Sequence, residues 1–87
     1  MTTYLVSYDL IAPGKNYDGL IAHLNKFKHF HILKSQWIIV ADQTAVQLRN
    51  GCQQFMDVND KIMVVKITAP GAWNNIGHDD WLKENIK

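Results

Sequence analysis

Three stretches of this chain are apolar on both of the faces that a β-strand presents, and that limits what it can fold into. Residues 3–10 (TYLVSYDL) are rich in β-branched and aromatic side chains, with Tyr4, Val6 and Tyr8 on one face and Leu5, Ser7 and Asp9 on the other. Trp37-Ile38-Ile39-Val40-Ala41 is a continuous apolar run of the buried-strand type. Residues 61–68, entered through Asn59-Asp60, form a third strong strand. Strands of this kind need cover on both sides. The chain has 87 residues, a single domain over 1–87, so few elements are left to supply it.

Between the strands the apolar spacing becomes helical. Tyr17, Leu20, Ile21, Leu24 and Phe27 predict a helix running from an Asn16 N-cap to about Phe27, with Asp18, His23 and Lys26 toward water. Ala12-Pro13-Gly14-Lys15 before it has the residues of a turn. Thr44 and Gln47 have the form of a capping box that opens a second helix, on which Ala45, Leu48, Cys52 and Phe55 share a face. Gly51 weakens that helix by about 1 kcal/mol relative to alanine. Residues 29–41 read as two extended pieces broken at Lys34, Ser35 and Gln36. Ala69-Pro70-Gly71 stops the last strand, and the tail from about residue 69 to 87 is short and amphipathic, with Trp73, Ile76, Trp81, Leu82 and Ile86.

The order is β-α-β-β-α-β plus a tail, which reads as an α+β domain of the ferredoxin-like kind, an antiparallel sheet with two helices on one face. Its other face must be covered by the tail or by a second copy. Isologous packing of two sheets in a homodimer is the expectation, with Tyr8, Trp37 and Trp73 at the interface.

Charge narrows the function classes. Nine basic and eight acidic side chains give a net charge of +1, so no global field drives the chain onto nucleic acid. Its distribution is uneven: no acid lies between Asp18 and Asp42, a stretch that holds Lys26, Lys28, Lys34, His23, His29 and His31. Such a segment can hold a phosphate backbone weakly, or it is simply a solvated helix face and the loop after it. One cysteine, Cys52, excludes an internal disulfide, and no apolar run reaches the ~18 residues of a membrane helix. Residues 1–7 lack the form of a signal peptide, so a soluble, cytoplasmic protein without a membrane partner is expected.

The strand Tyr4-Leu5-Val6-Ser7-Tyr8-Asp9-Leu10 resembles the opening strand of the CRISPR-associated Cas-two proteins, and Leu33-Lys34-Ser35-Gln36-Trp37 looks like that family's second hairpin. Tyr8-Asp9-Leu10, Pro13-Gly14 with Tyr17, Ser35 before Trp37, Asn59-Asp60 and Ala72-Trp73 are similar to the short bacterial and phage proteins called SinR-like, which belong with the Cas-two and virulence-associated protein D fold group. The resemblance implies a homodimer of ferredoxin-like domains associated with DNA or RNA. It also implies that Asp9 meets its symmetry mate and, as a pair, holds Mg²⁺ for phosphodiester hydrolysis by a weak nuclease. Ser7 and Ser35 are then its supporting hydrogen-bond donors, and Lys15, Lys26, Lys28 and Lys34 the nucleic-acid contacts. Read from the residues alone, Asp9 just before a proline-glycine turn equally suits hydrogen bonds to loop amides. The alternative function is a non-catalytic interaction protein, such as a toxin, inhibitor or adaptor of a mobile element or defence system, that needs no metal.

Other constellations carry less. His29 and His31 alternate on a strand without a third zinc ligand nearby. Tyr8 and Trp37 have the positions of a base-stacking platform but also of core residues. Cys52 and His78-Asp79-Asp80 read as packing and a helix start.

Overall fold

A computed structural model describes residues 1–11 and 17–87. The strand β1 (Thr2–Asp9) is followed by α1 (Asp18–Asn25), β2 (Lys28–Leu33), β3 (Gln36–Ala41), α2 (Ala45–Gln53), β4 (Lys61–Lys66) and α3 (Asp79–Asn85). The strands form one antiparallel sheet in the order β2-β3-β1-β4. The molecule is thus a small α+β fold, a four-stranded antiparallel sheet with three helices, compatible with a ferredoxin-like arrangement. In the register Tyr4 lies opposite Ile39 and Lys66, Val6 opposite Trp37 and Val64, and Asp9 opposite Lys61. The outer β2–β3 register slips between Phe30 and Leu33.

Alternation along β1 sorts the core. Tyr4, Val6 and Tyr8 pack with Trp37 and Ile39 against Leu20 and Leu24 of α1 and Leu48 and Cys52 of α2, all of them buried. The large aromatics can enter this core because their polar tips are satisfied. The indole Nε1 of Trp37 donates to the Tyr8 hydroxyl at 2.9 Å, and the Tyr4 hydroxyl donates to the Gln43 carbonyl at 2.6 Å. The capping box at α2 is present in full: Gln47 N donates to Thr44 Oγ1 and Thr44 N to Gln47 Oε1.

The opposite face is covered by the chain's own tail. Leu82 of α3 is buried, and Trp73, Ile76, Leu82 and Ile86 stand over Leu5, Ile38 and Ile67 around a cavity of about 310 Å³. Thr3 Oγ1 donates to the Asn85 carbonyl at 2.7 Å, and Phe30 meets the rings of His78 and Trp81 edge-on at 4.9 and 5.8 Å. Of the two kinds of cover open to the sheet, this is the tail. It does not reach β4, whose Met63 and Val65 stay exposed.

Several boundaries differ from the sequence reading. The first helix begins at Asp18 with Tyr17 in the N-cap position and no side-chain cap, and it ends at Asn25 rather than Phe27. Asn16 and the turn at Ala12-Pro13-Gly14-Lys15 lie outside the described residues. Phe55 falls past the end of α2 and is partly exposed. His23 faces water only in part. Its ring sits between Phe27 and Phe55, with Nε2 buried against Gly51, where an added Cβ would come within 3.0 Å. That close approach explains a glycine that helix propensity alone would disfavour.

Candidate functional site

Asp9 ends β1 on the same face as Ser7, at a shallow groove of about 240 Å³ shared with Lys61, Ile62 and Met63. It is exposed, and among the described residues its carboxyl makes no hydrogen bond. Ser7 Oγ accepts from the Gln36 side-chain amide at 3.3 Å, and the Ser35 carbonyl accepts from Tyr8 N at 3.0 Å. Both serines therefore serve the β1–β3 pairing rather than the Asp9 carboxyl.

The carboxylate that holds loop amides at this end of the sheet is Asp60. Its Oδ1 accepts from Ile11 N at 2.8 Å and from the Tyr17 hydroxyl at 2.9 Å, and its Oδ2 accepts from Asp57 N at 2.7 Å. Asp57 in turn accepts from Asn59 N at 3.0 Å. The turn residues that read as punctuation are thus a clamp joining the start of β4 to the segment leaving β1.

Among the described residues, no second acid of the same chain lines the groove at Asp9. Among the described residues no three His, Cys, Asp or Glu side chains converge, and Asp9 faces a lysine across the ladder rather than a second acid. His29 and His31 pack instead on Trp37, His31 stacked on the indole at 4.0 Å and 11°. His29 Nδ1 is bonded to the Phe27 carbonyl and His31 Nε2 to that of Lys34. Cys52 is fully buried, and burial pushes its thiol up to about 11, so it holds its proton and packs.

The lysines of the basic segment do not gather at one place. Lys26 follows α1, Lys28 opens β2 and Lys34 sits in the turn beyond it, so Lys28 and Lys34 are separated by the length of an edge strand, roughly 20 Å. Lys15 lies outside the described residues. Tyr8 and Trp37 are 7% and 1% exposed under the helices, so neither presents surface to a second copy or to a base. Trp73 is half-buried on its own chain, its Nε1 donating to Asp79 Oδ1 at 2.9 Å. Asp79 and Asp80 lie in the first turn of α3 behind His78, which has φ 52° and caps without a side-chain bond.

No helix among the described residues is long and apolar enough to cross a membrane. No family model matches the chain, and no solved structure matches it.

Proposed function

We propose that the chain is a ferredoxin-like β-α-β-β-α-β unit with one helix added after it, of the Cas-two-like kind, and that it works by non-catalytic association with nucleic acid. The observation that carries this reading is the set of lysines left open on the surface. Asp57, Asp60 and Asp79 are tied to backbone amides, a tyrosine hydroxyl and an indole. Lys26, Lys28, Lys34, Lys61, Lys66, Lys83 and Lys87 are exposed, and none makes an ion pair among the described residues. A near-neutral chain thereby keeps a set of ammonium groups open to an anionic partner. Two copies meet through the strip that the tail leaves uncovered, Met63 at 56% exposure and Val65 at 37%.

A magnesium-dependent nuclease is the second reading, favoured by the exposure of Asp9 on a groove that borders this strip. It needs the Asp9 carboxyls of two copies, since one chain supplies a single acid there. The test combines DNA and RNA binding at about 50 mM salt, where phosphate attraction is strong, with cleavage assays in Mg²⁺. Binding without cleavage, unchanged in Asp9→Ala, is the expected result. Cleavage abolished by Asp9→Ala establishes the nuclease, and no binding to either polymer leaves protein docking through Met63 and Val65.

A further inference from the structure

β4 is the last strand of the sheet and pairs only with β1, so one of its long sides has no neighbour. The register tells which backbone groups stand there. A residue in an antiparallel ladder turns its N–H and C=O toward one side, and the next residue turns them toward the other. Ile67 N donates to the Thr3 carbonyl at 3.0 Å and Tyr8 N to that of Ser35 at 3.0 Å, so the odd positions of β1 bond β4 and its even positions bond β3. Lys61, Met63 and Val65 therefore direct their amides and carbonyls to Asp9, Ser7 and Leu5. Those of Ile62, Val64 and Lys66 face outward, and no partner for them is found among the described residues. They form a row of alternating donors and acceptors about 14 Å long.

The side chains along the row give the chemistry of what fits it. On the tail side of the sheet Met63 and Val65 are 56% and 37% exposed and border the row with apolar surface. Lys61 and Lys66 close its two ends, and their odd spacing puts them on opposite faces. Asp9 lies across from Lys61 but one strand further in, and the Asp60 carboxyl is tied to Ile11 N, the Tyr17 hydroxyl and Asp57 N. The first charge that an incoming strand meets at either end is thus an ammonium. We propose that this edge receives an extended segment of another protein as an added strand, with apolar residues beside Met63 and Val65 and an acid opposite each lysine. A strand ended by basic residues meets like charge there and is turned away. The proposal goes beyond the nucleic-acid reading and does not rest on it. A second copy seated on the Met63 and Val65 side chains covers a face of the sheet, whereas these amides point along its plane.

The experiment is a titration of the peptide GSEVTVTEGS, up to about 1 mM, into nitrogen-15-labelled protein followed by magnetic resonance. Laid antiparallel, its valines fall beside Met63 and Val65 and its glutamates beside Lys61 and Lys66. Hydrogen exchange should slow at the amides of Ile62, Val64 and Lys66 and stay unchanged at those of Met63 and Val65, which the β1 ladder already protects. Methylating the backbone nitrogen of the peptide's first threonine, which pairs with Val64, should abolish binding. Methylating that of its second valine, which points away from β4, should not. Lys61→Glu/Lys66→Glu should weaken binding about tenfold and instead accept the peptide GSKVTVTKGS; both substitutions are at exposed positions, and circular dichroism checks that the variant is folded. Shifts at the Met63 and Val65 side chains without protection of the outward amides would mean apolar docking on the face, and would overturn the proposal. So would no change at the highest peptide concentration. Protection that appears on raising the protein concentration alone would assign the edge to a second copy, which overturns it as well. Each of these failures leaves the nucleic-acid reading to its own binding assay.

Discussion

The two faces of the sheet are covered by unequal means. Under α1 and α2 the packing is closed: Val6, Leu20, Leu24, Ile39, Leu48 and Cys52 are all at 0% exposure. Under the tail a single seven-residue helix stands over the sheet, Leu82 is its one buried residue, and a cavity of about 310 Å³ remains beside it. Side chains that are enclosed on all sides keep their dispersion contacts, while those lining a void lose part of them. The helix face therefore carries the stability of the domain, and the tail face is where surface is left for partners.

The largest expected effect is on the helix face. Trp37→Ala should cost about 3–5 kcal/mol, seen as a drop in denaturation midpoint, because it empties the core and orphans the Tyr8 hydroxyl that its indole bonds. The sharpest comparison is between two leucines of equal size. Leu48→Ala should fall near the upper end of the 2–5 kcal/mol range for such truncations and Leu82→Ala near the lower end, at about 2 kcal/mol. Equal losses in urea unfolding would show that the tail face is as tightly packed as the other. A smaller, pH-dependent effect belongs to His23. Burial, and then the neighbouring Lys26, lowers its pKa from the ordinary 6.5. The unfolded chain then takes up its proton first, so stability is full above about 6.5 and declines as pH falls through that value toward the lowered folded one. Gly51 and Phe55, which face the ring from α2 and the residues after it, bring no charge of their own. The decline between about pH 7 and pH 5, where histidine titrates, should be shallower in His23→Gln, measured by melting temperature. Least of all, Met63→Lys should change stability by no more than about 0.5 kcal/mol, as at other surface positions. In light scattering it should nevertheless separate the dimer proposed above into monomers.

The elements that could be read from the chain are those fixed by neighbours in sequence. The β1, β3 and β4 strands follow from runs of β-branched and aromatic residues, and the Thr44–Gln47 box is a local exchange of two hydrogen bonds. What could not be read depends on distant partners. His23 stands on the polar side of its helical wheel, yet the absence of a side chain at Gly51 lets its ring settle between two helices. Asp60 reads as a turn residue because nothing in its surroundings announces Ile11, 49 positions away. The basic segment misleads in the opposite direction: its lysines adjoin in sequence, and the β2 strand then carries Lys34 away from Lys28. Tyr8 and Trp37 have the spacing of a surface platform, and it is the helix layer above them that makes them core.

Both outer strands of the sheet are bounded by ammonium groups, β2 opening at Lys28 and β4 running from Lys61 to Lys66. An outermost strand offers unpaired amides to any passing chain, and stacking copies edge to edge in register would set these cations beside one another. The apolar centre of β4, Ile62 to Val65, would otherwise be a ready seed for fibrils. Its flanking lysines stand where gatekeepers stand, setting like charges against any copy of the strand that would add to this open flank.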